Sequence, residues 1–287
     1  MILGKVNQQS ENAGVAFKKY VGYTRFRVVA VNPTLKELNE LGVNYKTEPE
    51  YVNKLDVNGV QTDSVRIDFW LKAVDENITI LSPYSITLVK TKEINKDGSK
   101  CKVIDSYGRT AWVTKDEFAK KAIPVYNNGP VEIDSNYSIT YRGQESLVKF
   151  LATFFGIPSP HDFKMNKSKE GEELEACKIG FSDIDKFFTG DISEIKENVD
   201  ICRANQIVAL TGIRHKDDKD IQVIFRDGIV SIYNNKPAQF FEAKLNELSN
   251  NGSSRYSDCE FVIDDIKEYT QNKIAAPVEA TNDSAGW

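Results

Sequence analysis

Histidine and cysteine are scarce in this chain, which narrows the metal and redox chemistry open to it. Its 287 residues include 2 His and 4 Cys. Neither His161 nor His215 stands at zinc-ligand spacing from a cysteine, and no Cys-x-x-Cys pair occurs. The sequence therefore predicts no metal site and no disulfide.

Long apolar runs and targeting signals are also missing. No stretch approaches the length of a membrane span, and the opening MILGKVNQQS lacks the apolar core of a signal peptide. We therefore expect a cytoplasmic protein that does not contact a membrane.

Catalytic signatures are a third absence. The chain carries no nucleophile motif, phosphate-binding loop, paired-glycine fingerprint or HExxH helix. Two histidines leave little room for a histidine base, and no DxD-like carboxylate cluster lies on an apolar run. We expect a binding protein without a cofactor, and not an enzyme.

The net charge of -5 hides an uneven distribution. Residues 14–125 carry 18 basic and 14 acidic side chains, whereas residues 126–287 carry 18 basic and 27 acidic ones. A basic half joined to an acidic half says more about partners than the total does. The basic half is compatible with a nucleic-acid partner despite the acidic total.

Among the features that are present, the segment Gly14–Gly42 organises the chain. Its centre, Tyr23–Val31, alternates with period two, which predicts a strand with two different faces. One face is apolar, as a core requires. The other face begins with Tyr23, Arg25 and Arg27, an aromatic ring beside two guanidinium groups.

A second segment, Ser64–Val74, repeats this pattern. One face is apolar throughout, and the face expected to be wet holds Arg66, Trp70 and Lys72. Arginine and tyrosine are ordinary on the solvent face of a single strand, so one such strand indicates little. Two strands with cations and large aromatics favour a binding surface.

A lysine-rich hairpin is predicted around Asp97-Gly98, a turn signal between two strand-like runs. Lysines on a hairpin can protect a sheet edge from unwanted pairing, or they can hold a phosphate backbone. The arms carry Lys90, Lys92, Lys96, Lys100 and Lys102, and Tyr107, Arg109 and Trp112 follow closely.

Helical patterns and a second strand pair complete the chain. Helices are predicted at 34–42 (with a Thr34–Glu37 capping box), 115–122, 143–156, 170–195 (with a break at Thr189-Gly190) and 237–248. Strands are predicted at 206–213 and 221–225, with a third short strand at 229–233. The end of the chain, AAPVEATNDSAGW, is typical of a disordered segment.

These elements predict an α+β, β-rich fold, namely an OB-like (oligonucleotide-binding) antiparallel β-barrel core elaborated with helices. The predicted divisions are a flexible arm at 1–13, the OB-like β core at 14–125, a mainly helical insertion at 126–204, a β-hairpin plus helix at 205–255, and an acidic C-terminal tail at 256–287.

Three stretches resemble single-stranded-DNA-binding proteins of crAss-like tailed bacteriophages. They are AFKKYVGYTRFRVVAVNPTLKELNELG, KTKEINKDGSKCKVIDSYGRTAWVTKDEFAKKAIP and YRGQESLVKFLATFFGIPSP, within about residues 13–160. The resemblance implies an OB-type core, a role in phage DNA replication or recombination, and action in the host bacterial cytoplasm. Phage proteins of this function often carry a zinc-binding insert, which no Cys/His spacing matches here. Such binders also typically end in an acidic tail with a terminal Phe, where this chain has Trp287.

We therefore predict single-stranded DNA binding by base stacking and phosphate contacts. Two alternatives stay open: a phage structural or cargo protein whose aromatics meet protein partners, and a carbohydrate-binding β-module. The tail is a candidate contact for replication proteins. Predicted stacking residues are Tyr23, Trp70, Tyr107 and Trp112, and predicted phosphate contacts are Arg25, Arg27, Arg66, Lys72, Lys100, Lys102 and Arg109.

Overall fold

The computed structural model describes residues 5–7, 19–75, 78, 80–105, 110–121, 137–154, 181–200, 206–216, 219–231 and 259–260. Several sequence predictions lie outside these residues. They are the contacts of Tyr107 and Arg109, the helix at 237–248, and the disordered terminal segment.

Strands form most of the regular structure in this part of the chain, so the predicted α+β, β-rich class is confirmed. The strands are β1 (Lys5–Asn7), β2 (Lys19–Val31), β3 (Val52–Val57), β4 (Val60–Ala73), β5 (Leu81–Lys92), β6 (Lys100–Ile104), β7 (Thr110–Thr114), β8 (Ser138–Ile139), β9 (Tyr141–Arg142), β10 (Gln206–Lys216), β11 (Lys219–Ser231) and β12 (Cys259–Glu260). The helices are α1 (Leu35–Glu40), α2 (Lys115–Ala119), α3 (Gln144–Phe154), a 3-10 helix (Ile184–Thr189) and α4 (Ser193–Asp200).

The chain forms two compact units, each assembled from separate stretches. The first contains Met1–Arg25, Ala73–Ile80 and Val208–Trp287, and the second contains Phe26–Lys72 and Leu81–Ile207. Strand β2 therefore contributes residues to both units. The contiguous divisions drawn from the sequence stay a prediction.

In the first unit, β10 has β2 and β11 as its neighbours. Thr211 Oγ1 in β10 donates a 3.0 Å hydrogen bond to the carbonyl oxygen of Gly22 in β2. Strand β1 pairs antiparallel with β2, and β12 pairs antiparallel with β10. The predicted strand pair at 206–225 is confirmed, but β11 continues to Ser231, so residues 229–231 are not a separate third strand.

In the second unit, β4 has β2 and β5 as neighbours, and β9 extends the sheet beyond β5. Strands β4 and β5 are antiparallel, with Ile67 opposite Ile86. Strand β3 pairs antiparallel with the first half of β4. A separate sheet places β6 between β7 and β8.

Period-two alternation along β4 builds the core of the second unit. Val65, Ile67, Phe69 and Leu71 are each 0% exposed. Burying a side chain of this size contributes about 1.5–3 kcal/mol. Helix α3 packs on the same face, where the ring centroids of Phe150 and Phe69 lie 4.5 Å apart. The predicted helix at 143–156 is confirmed over Gln144–Phe154.

Local signals in the sequence set where several elements begin and end. The predicted capping box is confirmed: Thr34 N donates to the Glu37 carboxylate at 2.7 Å, and Glu37 N donates back to Thr34 Oγ1. The predicted break after the 3-10 helix is confirmed at Gly190, whose φ of 95° is left-handed. The turn at Gly98, with φ 74°, joins β5 to β6 as predicted.

Candidate nucleic-acid interface

Two aromatic rings that were predicted to stack on bases are buried. Tyr23 is 0% exposed and Trp70 is 4% exposed, so the prediction that they lie on solvent faces is wrong. Thr24 is also 0% exposed, and since successive strand residues point to opposite faces, both faces of β2 are covered there. Trp70 is covered by the ring of Tyr45, which packs edge-on with a centroid distance of 6.3 Å.

The cationic side chains of β2 and of the end of β4 are more exposed than the rings of Tyr23 and Trp70. Arg27 and Lys72 are exposed, and Arg25 is half-buried. Lys72 makes no ion pair with a described residue, and the same holds for Arg27. Both side chains are on the solvent side of their strands, where the sequence analysis expected them.

Arg66 is in a different position, because neighbouring side chains already hold it. Its Nε lies 3.2 Å from Asp68 Oδ1, and its guanidinium stands 5.5 Å from the ring centroid of Tyr51. The ion-paired atoms do not have hydrogen-bond geometry, and Trp70 Nε1 is also buried without a hydrogen bond to a described residue. Burial and the charge of Asp68 raise the pKa of Tyr51, whose hydroxyl donates to the carbonyl oxygen of Pro33 at 2.7 Å. Arg66 therefore keeps some exposure, but its charge is already paired within the protein.

Tyr45 is an exposed aromatic residue that the sequence analysis did not select. It is 45% exposed and lies in the connection after α1, against Trp70. The connection has no strand or helix periodicity, so no pattern marked this ring. It is a stacking candidate next to the place where Trp70 was expected.

The tip of the β5–β6 hairpin presents two lysines to solvent. Lys96 and Lys100 are exposed, and neither makes an ion pair with a described residue. Asn95 fixes the tip, because its Oδ1 accepts a 2.9 Å hydrogen bond from Lys100 N. Hydrogen bonds from Ser99 to the carboxylate lower the pKa of Asp97, so this one acidic group of the tip is anionic.

Lys102, further along β6, is neutralised by two carboxylates. Its Nζ lies 3.2 Å from Glu93 Oε2 and forms a short contact with Glu145 Oε2. Burial disfavours the charged ammonium, but the bonds and charges of Glu145 and Glu93 outweigh it and raise the pKa of Lys102. Its predicted phosphate contact stays untested, but its charge is already balanced inside the protein.

Trp112 lies opposite Lys102 in the β6–β7 ladder. The ammonium of Lys102 stands 5.3 Å from the centre of the indole. Ala111 and Val113, on either side of Trp112 in the sequence, face the core of the small sheet and are buried. Trp112 points to the other face and is half-buried. Among the described residues predicted to stack, Trp112 has the most exposed ring.

Two further lysines lie along β5, in the hairpin arm that precedes the tip. Lys92 Nζ stands 3.3 Å from the ring centroid of Tyr141, and Lys90 Nζ lies 3.3 Å from Asp185 Oδ1. Burial, together with the hydrogen bond donated to Asp185, raises the pKa of Tyr141 to about 12. Burial lowers the pKa of Lys92. Both lysines are exposed.

In the described ranges, no group of three or more His, Cys, Asp or Glu side chains could hold a metal ion. No helix within those ranges has the length and apolar character needed to cross a bilayer.

No protein-family model, curated protein or solved structure matches this chain.

Proposed function

We propose that this protein binds single-stranded DNA without sequence preference and is not an enzyme. The observation that supports this best is the lysine tip, defined as Lys96 and Lys100 on the β5–β6 hairpin, with Lys90 and Lys92 on the arm before it. Lys96 and Lys100 make no ion pair with a described residue, whereas Lys90 lies 3.3 Å from Asp185 Oδ1. Exposed ammonium groups release counterions when they meet phosphates. Lys102 shows the contrast, because its two carboxylate partners hold it inside the fold.

The rings proposed to stack on bases are Tyr45 and Trp112. Tyr45 and Trp112 keep exposed surface, whereas Tyr23 and Trp70 do not. A stacked base contributes roughly 1–3 kcal/mol, so two rings beside several cations suffice for useful affinity. Tyr107 and Arg109 lie between β6 and β7, outside the described residues, and stay predictions.

We propose an OB-like barrel as the scaffold. The order of strand neighbours supports it: β10 lies beside β2, followed by β4 and β5. Numbered along the chain, these four strands follow the order 4-1-2-3, which defines a Greek key. An OB fold is a five-stranded Greek-key barrel, and β11 beside β10 would supply its fifth strand.

The resemblance to single-stranded-DNA-binding proteins of crAss-like phages supports the same function. On that ground we propose a role in phage DNA replication or recombination, in the cytoplasm of the host bacterium, with replication proteins as partners of the C-terminal tail.

A fluorescence titration with oligo(dT), oligo(rU) and duplex DNA at two salt concentrations tests the proposal. Oligo(dT) should bind more tightly than duplex, and binding should weaken steeply with salt. Replacing Lys96 and Lys100 together by Glu should weaken binding and make the slope of log K against log salt less negative by about 1.4, since each phosphate contact adds about -0.7. The matched control replaces Lys36 and Lys196 by Glu, since both are exposed lysines of the same unit outside this hairpin.

An unchanged salt slope in the Lys96 and Lys100 variant would mean that these lysines protect the sheet edge instead. Absence of binding to all three ligands would overturn the function itself. A second candidate function is then a structural or cargo role through protein partners. The exposed apolar side chains Val52, Leu55 and Val60 favour it over sugar binding, for which the buried Trp70 offers no platform.

A further inference from the structure

The hairpin formed by β3 and β4 carries apolar side chains that solvent reaches. Leu55 is 41% and Val60 is 63% exposed. The register pairs Leu55 with Thr62 and Val57 with Val60, so Leu55, Val57 and Val60 share one face. Exposed apolar side chains grouped on one hairpin mark an interaction surface.

The outer edge of β3 pairs with no other strand in the described part of the chain. Arg66 N donates to Tyr51 O at 2.8 Å, so the odd-numbered residues of β3 direct their backbone groups toward β4. Lys54 and Asp56 therefore direct their N–H and C=O groups to the other edge. Among the described strands, β4 is the one that pairs with β3. An unpaired edge of this kind is a template for a further strand.

We propose that this edge binds the same edge of a second copy of the chain. The two β3 strands pair antiparallel, centred on Leu55, so that Leu55 of each copy contacts the other. Two-fold symmetry then places Lys54 opposite Asp56 of the second copy, and Asp56 opposite Lys54 of the second copy. Each of these pairs exchanges two backbone hydrogen bonds, because Lys54 and Asp56 hold the outward backbone groups.

The charge pattern selects this register over its neighbours. A pairing centred on Lys54 would place two ammonium groups directly opposite each other, and one centred on Asp56 would oppose two carboxylates. Like charges at opposite positions destabilise a strand pair. A pairing centred on Asn53 would place Lys54 against Val52 and form no ion pair. The register centred on Leu55 forms two ion pairs and also joins the apolar side chains.

The proposed contact between the two β3 strands is small, so the dimer should be weak. Two six-residue strands cover less surface than the roughly 1,600 Å² of a standard interface. The ion pairs are exposed, so salt screens them. We expect a weak dimer whose dissociation constant rises with salt. This dimer leaves the lysine tip, which lies on another hairpin, unoccupied. Dimerisation is therefore a property separate from the proposed DNA binding.

Sedimentation velocity of the full chain over a range of concentrations, at low and high salt, tests this pairing. In the dimer, Lys54→Asp and Asp56→Lys each place like charges opposite each other twice. Lys54→Asp also removes the 3.9 Å contact between Lys54 Nζ and Asp63 Oδ1 of the same chain, so thermal unfolding must show that this variant is folded. Each variant alone should weaken dimerisation at least tenfold, which corresponds to about 1.4 kcal/mol. Mixed in equal amounts, the acidic edge of one variant meets the basic edge of the other, and dimers should form again.

Two controls separate this pairing from general effects. Lys36→Glu reverses the charge of an exposed lysine on α1 and should leave the dimer unchanged. Asp56 Oδ1 also accepts a 2.8 Å hydrogen bond from Gly59 N in the turn, so thermal unfolding must show that Asp56→Lys is folded. If it is not, Asp56→Asn keeps an acceptor there and should still weaken the dimer by removing both ion pairs.

Loss of dimer in each variant and its return in the mixture support the proposal. A wild-type chain that stays monomeric at every concentration overturns it. So does a Lys54→Asp variant that dimerises like the wild type, or a mixture that fails to dimerise, since either result assigns any association to another surface.

Discussion

At the scale of single residues, Trp70 belongs to the core of the second unit, so its loss should affect folding first. We predict that Trp70→Ala lowers the free energy of unfolding by about 3–5 kcal/mol, as is usual for a buried tryptophan. Urea denaturation followed by circular dichroism measures this change. Lys72→Ala, two residues further on the same strand face and exposed, should change stability by less than about 0.5 kcal/mol. A Trp70→Ala protein with full stability but lost oligo(dT) affinity would contradict the prediction.

The pairing of Glu145 with Lys102 makes stability depend on acidic pH. Burial alone would raise the pKa of Glu145, but the bonds and charges of Lys102 and Lys149 hold it below the usual value of 4.5. The unfolded chain therefore binds this proton more tightly than the folded chain does. The stabilisation is present above the unfolded pKa and is lost as the pH falls through the folded pKa.

We predict that Glu145→Gln is less stable than the wild type at neutral pH. As the pH falls below the usual glutamate pKa of 4.5, the variant should lose less stability than the wild type, since it has no carboxylate to protonate at this position. Urea denaturation at several pH values measures both curves. Glu197→Gln, an exposed position on α4, is the control and should follow the wild type. Parallel curves for wild type and Glu145→Gln would contradict the role given to this pair.

At the scale of elements, the start of α3 depends on a glycine that approaches β5 closely. Gly143 has φ 90°, and a Cβ there would lie 2.2 Å from the carbonyl oxygen of Thr87. Gly98 has a similar φ of 74° but open space around it. We predict that Gly98→Ala costs about 1–2 kcal/mol, for the left-handed backbone alone. Gly143→Ala should cost more than about 4 kcal/mol, because the backbone of α3 or β5 must move.

Thermal and urea unfolding measure the loss of stability in each variant. The difference between the two losses gives the cost of the close contact at Gly143, because the left-handed backbone is common to both positions. Equal losses at Gly143 and Gly98 would show that the helix shifts without cost.

Elements with strong local signals are those that the sequence predicts well. The capping box at Thr34 and the turn at Gly98 depend on residues a few positions apart, and both form as predicted. Lys102 shows where such reasoning stops. In the sequence it resembles the other hairpin lysines, but Glu145, 43 residues away, neutralises it. Likewise, alternation predicts the faces of β4 but not the distant ring that covers Trp70.

At the scale of the whole molecule, the C-terminal charge is expected to compete with nucleic acid. Residues 256–287 carry 7 acidic side chains and 2 lysines. Because β12 pairs with β10, a deletion must leave Cys259–Glu260 in place. Deleting residues 275–287 does so and removes two carboxylates and Trp287. We predict roughly twofold tighter oligo(dT) binding at low salt and no change at high salt, since exposed charges interact weakly and are screened.

The same fluorescence titration measures this effect, and a pull-down from a bacterial lysate tests the proposal that the tail contacts replication proteins. If neither the affinity nor the captured proteins change, residues 275–287 have no part in binding.

The division of β2 between two units has a consequence for how the chain folds as it is made. The first unit contains Met1–Arg25 together with Val208–Trp287, so its parts leave the ribosome at widely separated times. At synthesis rates of about 5–20 residues per second, the first half of β2 waits roughly 10–40 s for β10. During that interval Lys19–Arg25 lacks the neighbouring strand that it has in the finished protein. Because an unpaired edge is a template for pairing with another chain, we expect chains that stop before Val208 to aggregate more readily than the full chain.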